Sequence, residues 1–432
     1  MCHQTEDGQP ASATTTPHPD HNGENDDFPW HIGVCDAHCH PTDTMSSIAS
    51  IPRMRTRVLT IMATRSQDQD LVSSAAKQGG ISKRSELEEP CPPTGHDRKI
   101  IPAFGWHPWF SHQIYDDTED STRTDVGRTY DPSSSEGQDQ KALHYKAVLS
   151  PEPDANFIAS LPEPLSLRDF LTSTRERILG ASGPVLIGEV GLDKAFRLPW
   201  PWKEAEKSDR DVELTPGGRE GRLLSPHHVR VPHQARVLRA QLKLAGELGV
   251  AASVHGVQAH GVLFEALAGL WKGHEKEVVS RRQQKMVAKG AEDFSSSEEE
   301  DWEENGEDPP RKKEQAKAYK PKPFPPRVCL HSFSGSSQTL QQYLNPAIPV
   351  KVFFSFSTAI NLSTAGGESK FPEVLRACPD DRVLVESDLH CAGPEMDRLL
   401  ADIARRVCEI KGWSLEQGLT RMRRNYDDFI FG

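Results

Sequence analysis

The amino-acid sequence predicts an α/β protein built as one (β/α)₈ TIM barrel with long disordered inserts. Two observations lead to this fold class. Eight apolar runs punctuate the chain, most of them followed by a stretch with helical spacing, and many of these runs end in a histidine or a carboxylate. Continuous apolar strands that alternate with helices indicate a parallel sheet covered on its outside, and eight such units close into a barrel.

The predicted strands are rich in branched and aromatic apolar residues, which are typical of buried strands. In chain order they cover residues 34–40, 58–64, 99–109, 184–193, 250–255, 327–331, 350–356 and 382–388. The predicted helices carry apolar residues at helical spacing or a polar helix-like pattern and cover residues 68–78, 165–179, 232–248, 259–271 and 394–410.

Polar composition marks the segments outside the barrel. With a hydrophobic fraction of only 36% and 33 prolines, substantial parts of the 432 residues are expected to lie outside a packed core. We predict a disordered tail over residues 1–30 and a barrel domain over residues 31–432. Irregular or disordered inserts are expected at about 111–164, 198–226 and 272–326.

The net charge of −12 is concentrated in one of these inserts. Residues 292–310 hold ten acidic residues and no basic one, which leaves −2 for the rest of the chain. A near-neutral remainder argues against a broad basic surface for nucleic acid. It still allows a small site in which metal ions supply the positive charge.

The sequence also indicates a compartment. No run of 18 apolar residues is present, the N-terminus lacks the apolar stretch of a signal peptide, and eight cysteines are scattered without regular spacing. Cys35, Cys329 and Cys408 fall inside predicted strands or helices, as buried free thiols do. We therefore expect no membrane association and a place in the cytoplasm or nucleus.

Polar side chains gather at the ends of the predicted strands. His38 and His40 are two residues apart, so on a strand they face the same side and can meet at one metal ion. Taken singly, each of the others has an ordinary structural explanation as a capping or hydrogen-bonded core residue. Because the strand ends of a barrel converge at one mouth, their coincidence predicts a metal site, formed with His107, Glu189, His255, His331 and Asp388.

These donors are too many for a single tetrahedral ion, which takes three protein ligands when it is catalytic. They fit two divalent ions that share a bridging carboxylate. Paired ions of this kind can hold an attacking hydroxide and stabilise the leaving oxygen of a phosphoester. Glu189 lies in the middle of the strand order and is the expected bridge.

Several motifs, in this order along the chain, resemble those of the TatD family of metal-dependent deoxyribonucleases. They are residues 36–40 (Asp-Ala-His-Cys-His), 105–108, 187–193, 331–335, 385–388 and 425–429. The resemblance implies a barrel of the metal-dependent hydrolase type and hydrolysis of DNA phosphodiesters, single-stranded DNA or DNA ends being the expected substrate. The long inserts resemble the fungal or other eukaryotic branch of the family, some of whose members are protein-interaction partners.

Position by position, the resemblance implies one ion on His38, His40, Glu189 and Asp388, and a second on Glu189, His255 and His331. Mg²⁺ is the expected metal, with Mn²⁺ or Zn²⁺ as alternatives. Asp388 is implied to take a proton from the attacking water, and His107 to contact a substrate phosphate. Glu386 is expected to support a ligand without touching the metal.

The chain departs from the family pattern beside the expected ions. Val257 stands where the family usually has an arginine, and residues 389–393 replace a usual Ala-Pro-Tyr-like turn. Two alternatives to a DNA hydrolase therefore stay open. One is an amidohydrolase-like barrel that acts on another ester or amide; the other is a protein-interaction member of the family that binds through its acidic insert.

Overall fold

A computed structural model describes residues 28–88, 97–118, 130, 139–278 and 319–432. Its main sheet has eight strands, all parallel to their neighbours and arranged in chain order. The strands are β1 (Cys35–Cys39), β2 (Val58–Met62), β3 (Ile100–Phe104), β4 (Leu186–Asp193), β5 (Ala252–Val257), β6 (Arg327–Leu330), β7 (Lys351–Phe356) and β8 (Val383–Val385). The predicted eight-stranded parallel barrel is confirmed.

Hydrogen bonds between the segment after β8 and the end of β1 bring the two edges of the sheet together. The backbone N–H of Asp388 donates to the carbonyl of His38 at 3.0 Å, and that of His40 donates to the carbonyl of Leu389 at 2.8 Å. The Asp36 carboxylate adds bonds from the Ser387 backbone N–H at 3.0 Å and its hydroxyl at 2.5 Å. The nearly closed barrel thus places the residues that follow β8 beside the histidine pair.

The structure describes twelve α-helices. They are α1 (Ser66–Gly79), α2 (Ser85–Glu88), α3 (Gln140–Val148), α4 (Ala155–Ser160), α5 (Leu167–Leu179), α6 (Val231–Leu248), α7 (His260–Trp271), α8 (Ser337–Tyr343), α9 (Thr358–Asn361), α10 (Ala365–Ala377), α11 (Pro394–Lys411) and α12 (Leu415–Phe431). Short 3₁₀ helices cover Trp30–Ile32, Pro41–Asp43, Met45–Arg53, Pro108–Gln113, Glu204–Asp209 and Asp380–Arg382. All five predicted helices are present within two residues of their expected ends.

The strands have two buried faces. One face packs against the surrounding helices in the largest apolar cluster. The other face forms a second cluster to which all eight strands, or residues directly beside them, contribute, together with Tyr426 and Phe429 of α12. Only the barrel interior brings side chains of all eight strands together, so α12 closes the end of the barrel opposite the polar strand ends.

Parts of the predicted inserts are ordered. Within 111–164, which the sequence indicates to be irregular, the structure has α3 and α4, whose first turns are capped by the side chains of Asp139 and Asp154. Capping carboxylates stabilise short helices that carry little apolar periodicity. Most of 272–326 and of the N-terminal tail lies outside the described residues, and the division into tail, barrel and inserts remains a prediction.

Among the described residues, none of the helices has the length and apolar character needed to cross a membrane. Cys35, Cys329 and Cys408 are free and buried, as their positions in the sequence indicate.

Candidate metal centre

The structure gathers all of the predicted donors at the carboxyl ends of the strands. Each of them lies in a strand or within three residues after its end, and all are buried except Asp388, which is partly exposed. In strand order they are His38 and His40 (β1), His107 (β3), Glu189 (β4), His255 (β5), His331 (β6) and Asp388 (β8).

Glu189 lies at the centre of the cluster, and its two carboxylate oxygens face different histidines. Its Oε2 is 3.4 Å from Nε2 of both His38 and His40. Its Oε1 is 2.7 Å from Nε2 of His331 and 2.8 Å from Nδ1 of His255. This carboxylate is therefore shared between two separate sets of imidazole donors.

Asp388 completes the set on the His38 and His40 side. Its Oδ1 is 3.5 Å from Nε2 of His40 and 3.9 Å from Nε2 of His38. Its backbone is in the left-handed region at φ +56°, which non-glycine residues rarely adopt. The hydrogen bond from its N–H to the His38 carbonyl helps to hold that conformation and points the carboxylate at the cluster.

Hydrogen bonds fix which nitrogen His38 and His255 present to the cluster. His38 Nδ1 lies 2.8 Å from the Ser253 hydroxyl, and His255 Nε2 lies 3.1 Å from Oδ2 of Asp193. His331 Nδ1 lies 3.5 Å from Oε1 of Glu386, an ion-pair distance, and it makes no hydrogen bond to the described residues. When these outer nitrogens carry the proton, the inner nitrogens keep a free lone pair, which is the arrangement of metal-binding histidines.

The donor set fits divalent metal ions. Three groups of three donors have ligand atoms within 4.8 Å of one another: His38–His40–Glu189, His107–Glu189–His255 and His38–His331–Glu386. Imidazole nitrogens and carboxylate oxygens are the usual ligands of catalytic zinc and related divalent ions.

His107 differs from the other histidines of the cluster. Its Nδ1 accepts a hydrogen bond from the Trp109 backbone N–H at 3.2 Å, and its Nε2 is 3.1 Å from Oε1 of Glu189. Because a neutral imidazole with an accepting Nδ1 carries its proton on Nε2, His107 is a hydrogen-bond donor to the centre. The distances of His107 alone would make it a metal ligand. Its hydrogen bonds argue against that role, because the nitrogen that faces the centre carries a proton.

The protonation states follow from burial and from the neighbouring charges. Burial lowers the pKa of His38, and it lowers the pKa of His107 to about 4, so both rings are neutral. Burial opposes ionisation of Glu189, yet His107, His331 and His38 hold its pKa well below the usual range. Burial would lower the pKa of His40, but Asp388 and Glu189 raise it to about 9, so metal binding there displaces a proton.

Two glycines allow the strands to approach closely around Glu189. Gly191 has φ +159°, and a Cβ on it would lie 2.1 Å from the His255 carbonyl oxygen. A Cβ on Gly105 would lie 2.7 Å from the carbonyl carbon of Gly188. Side chains at these positions would separate β3, β4 and β5, and with them the donors.

Asp193 is a further residue of the site, to which sequence reasoning gave no role. Its Oδ2 accepts from His255 and, at 2.6 Å, from the indole N–H of Trp109. Its Oδ1 accepts from the backbone N–H groups of Ala195 and Phe196 at 2.7 and 2.9 Å. Burial opposes ionisation, but these bonds lower its pKa to about 2, so an ionised carboxylate orients His255. Its position at the end of the 187–193 motif was the sequence signal that could have identified it.

Glu386 lies behind His331, away from the open side of the cluster. It is fully buried and accepts from the Ser332 backbone N–H at 2.8 Å and from the hydroxyls of Ser332 and Ser355. These bonds fix a carboxylate that faces the outer nitrogen of His331.

The centre opens into a cavity of about 510 Å³. Its floor is formed by donors of the cluster, and one side carries the rings of Trp109, Phe110 and Phe196. Residues of the segment 198–226 also line it. A cavity of this size accepts a small molecule or part of a polymer.

A parallel barrel that carries buried histidines and carboxylates at the carboxyl ends of its strands is typical of metal-dependent hydrolases. Residues 35–430 match the family model described as TatD related DNase. The chain therefore belongs to the TatD family.

Two relatives extend along most of the chain. The protein is 33% identical over 397 residues to the Cut9-interacting protein scn1 of Schizosaccharomyces pombe, covering 92% of this chain and 98% of the relative. It is 26% identical over 351 residues to the uncharacterized deoxyribonuclease YMR262W of Saccharomyces cerevisiae, covering 77% of this chain and 82% of the relative.

Two solved structures are similar at lower identity. The TatD homologue YjjV of Escherichia coli is 14% identical with a TM-score of 0.46, covering 93% of this chain and 98% of its own. An uncharacterized amidohydrolase of Saccharomyces cerevisiae is 13% identical with a TM-score of 0.48, covering 92% of this chain and 99% of its own.

Proposed function

We propose that this protein is a hydrolase that cleaves phosphodiester bonds of DNA with two divalent metal ions. The observation that carries the proposal is the position of Glu189, whose two oxygens face two separate sets of histidines. Membership of a family described as TatD related DNase supports DNA as the substrate.

The first ion is assigned to His38, His40, Glu189 and Asp388, and the second to Glu189, His255 and His331. Mg²⁺ is the proposed metal, with Mn²⁺ or Zn²⁺ as alternatives. When bound, such ions lower the pKa of a water molecule and neutralise charge on the phosphate oxygens.

Asp388 is the proposed general base. Burial opposes its ionisation, but hydrogen bonding to His40 and the nearby His331 and His38 hold its pKa well below the usual range. Its partly exposed carboxylate reaches the cavity, where it can accept a proton from the attacking water.

His107 is the proposed contact to the phosphate that is cleaved. It lines the cavity and keeps a proton on Nε2, the nitrogen that faces the centre. A neutral N–H donor can stabilise charge that develops on a phosphate oxygen. Glu386 is proposed to hold His331 in the orientation that the second ion requires.

The proposal is tested by incubating end-labelled single-stranded DNA with the full chain and Mg²⁺ or Mn²⁺. We expect cleavage by the wild type, and loss of cleavage with a chelator or in Asp388→Asn. Asp402→Asn is the matched control, because Asp402 is an exposed carboxylate on α11 that pairs with Arg398. No cleavage by the folded, metal-loaded wild type would contradict the proposal and redirect the search to other esters or to amides.

A protein-binding role is a second proposed function, favoured by the name of one relative. The Schizosaccharomyces pombe protein is called Cut9-interacting. The acidic stretch 292–310, which lies outside the described residues, is the proposed binding element, and cytoplasm or nucleus is the proposed compartment. Deleting residues 279–318 is expected to leave DNA cleavage unchanged and to remove a protein that copurifies with the full chain.

A further inference from the structure

The segment 198–226, called the strap below, crosses the mouth of the barrel beside the metal centre. It leaves the barrel after β4, and its two ends are paired with each other. Ser225 donates to the Leu198 carbonyl at 2.8 Å, and Trp200 donates to the Leu223 carbonyl at 2.8 Å. The residues between these paired ends therefore form a loop that starts and finishes at the same place beyond β4.

The far end of the strap is attached to the loops that follow β1 and β2. The Thr215 backbone N–H donates to the Asp43 carbonyl at 2.8 Å, and its hydroxyl donates to the Thr42 carbonyl. The buried guanidinium of Arg65 donates to the carbonyls of Pro216 at 3.1 Å and Thr215 at 3.2 Å. The strap is thus fixed at its base, where residues 198 and 225 pair, and at its tip near Thr215. Residues at and after the tip line the cavity.

The strap brings a cation to the cavity. Of the two arginines that line it, Arg65 is neutralised by Asp43 at 2.9 Å and by Asp68 at 3.1 Å. Arg219 donates its Nε–H to the Arg222 carbonyl at 3.3 Å, and in the described part of the chain it has no carboxylate partner. The neighbouring Glu220 is already paired with Arg210. Arg219 therefore has terminal N–H groups available for an anion.

An apolar wall stands in the same cavity. The rings of Trp109 and Phe196 are stacked, with centroids 4.3 Å apart and planes inclined by 9°. The indole N–H of Trp109 is fixed by Asp193, and Leu214 and Leu224 of the strap also line the space. Flat, rigid apolar surfaces of this kind bind nucleobases without selecting the sequence.

We propose that Arg219 binds the phosphate next to the one that is cleaved, and that the strap and the aromatic wall form a subsite for that flanking nucleotide. This inference rests on the proposed DNA hydrolysis. In the proposed function the metal ions and His107 contact the cleaved phosphate. An additional arginine beside an apolar wall therefore fits a second phosphate and its base. Arginine matches a phosphate with two parallel N–H donors.

The test compares Arg219→Gln with Arg197→Gln in the full chain. Arg197 is exposed, lies just before the strap and does not line the cavity, so its replacement makes the same charge change away from the subsite. On a single-stranded oligonucleotide, Arg219→Gln is expected to raise KM roughly tenfold with kcat within about twofold of wild type, the loss of one charge-assisted contact. Arg219→Lys should give an intermediate KM, and Arg197→Gln should match wild type.

Hydrolysis of a small diester distinguishes a contact to the flanking phosphate from a contact to the cleaved one. Bis(p-nitrophenyl) phosphate has a single phosphate, so its hydrolysis should be the same in Arg219→Gln and wild type. The dependence of oligonucleotide affinity on salt should weaken by about 0.7 in its logarithmic slope, as for one lost phosphate contact on a single strand. Equal losses on both substrates, or equal behaviour of Arg219→Gln and Arg197→Gln, would overturn the assignment.

Binding without cleavage distinguishes this inference from the proposed function. Fluorescence anisotropy of a labelled oligonucleotide with Ca²⁺ measures affinity alone. If the wild type binds but never cleaves, the proposed hydrolysis fails while weaker binding by Arg219→Gln still supports the subsite. If the wild type cleaves and Arg219→Gln binds as tightly as Arg197→Gln, the subsite fails alone. Absence of both binding and cleavage overturns both.

Discussion

Replacing Asp193 with asparagine is expected to weaken the binding of one of the two proposed metal ions and to leave the other unchanged. Both oxygens of Asp193 are acceptors: Oδ2 takes N–H groups from His255 and Trp109, and Oδ1 takes two backbone N–H groups. Asparagine has one oxygen and one NH₂ group. Its NH₂ group must therefore face either the His255 and Trp109 donors or the two backbone N–H donors. If the NH₂ group faces His255, it favours the tautomer with the proton on Nδ1, the nitrogen that faces Glu189.

The magnitude follows from that tautomer change. Loss of a partner that orients a ligating histidine typically costs about 10–100-fold in metal affinity, or about 1.4–2.7 kcal/mol. Because His255 would also lose its lone pair at Nδ1, we expect the upper end of that range for the ion on Glu189, His255 and His331. The ion proposed for His38, His40, Glu189 and Asp388 should bind with unchanged affinity.

Calorimetric titration with Mn²⁺ measures both affinities. Asp43→Asn is the matched control, because Asp43 is another carboxylate of the cavity but pairs with Arg65 and does not orient a histidine of the cluster. Two ions bound with wild-type affinity in Asp193→Asn would refute the reasoning. An equal loss in Asp43→Asn would show that charge alone, without tautomer control, sets the affinity.

Two further predictions concern stability. Burial lowers the pKa of three histidines to about 3, 4 and 3, in the order His112, His144 and His233. They are neutral in the fold and take up protons near pH 6.5 when unfolded, so the free energy of unfolding should fall as pH drops below 6.5 toward 4, by up to ~1.4 kcal/mol per pH unit for each. Urea unfolding at pH 7 and pH 5 should show this, with a smaller difference in His144→Gln. Gly191→Ala should destabilise by roughly 3 kcal/mol, because its Cβ would collide with the His255 carbonyl, whereas Gly261→Ala, with open space around its Cβ, should not.

The sequence predicts the barrel well because its strands are buried on both faces. Continuous apolar runs such as residues 58–62 and 351–356 are distinctive, and the eight of them set the order of the sheet. The donors were predictable for the same reason: once the strand ends are known, barrel geometry brings His38, Glu189 and His255 together. Their assignment to particular ions and roles remains a proposal.

Some helices have no clear sequence pattern. The helix α10 contains Pro372 and has Gly366 and Gly367 in its first turn, and these residues disfavour helix in isolation. It forms because the Thr364 side chain caps its start and Phe371, Val374 and Leu375 pack into the core. Tertiary packing outweighs local propensity here.

Features that depend on individual hydrogen bonds were also beyond the sequence. Nothing in the polar segment 198–226 indicates that Thr215 bonds to the β1 loop or that Arg65 holds it there. Similarly, the tautomer of His107 depends on one backbone N–H, that of Trp109. Residue patterns report burial and periodicity, and such contacts follow from the folded geometry alone.

The most direct test of the two-ion account is the metal content of Glu189→Gln beside the wild type. After equilibrium dialysis against Mn²⁺, elemental analysis should find two ions per wild-type chain and at most one per variant chain, because a neutral amide cannot bridge two cations. Cleavage of single-stranded DNA should be lost together with the second ion. Two ions per chain in Glu189→Gln would contradict the account.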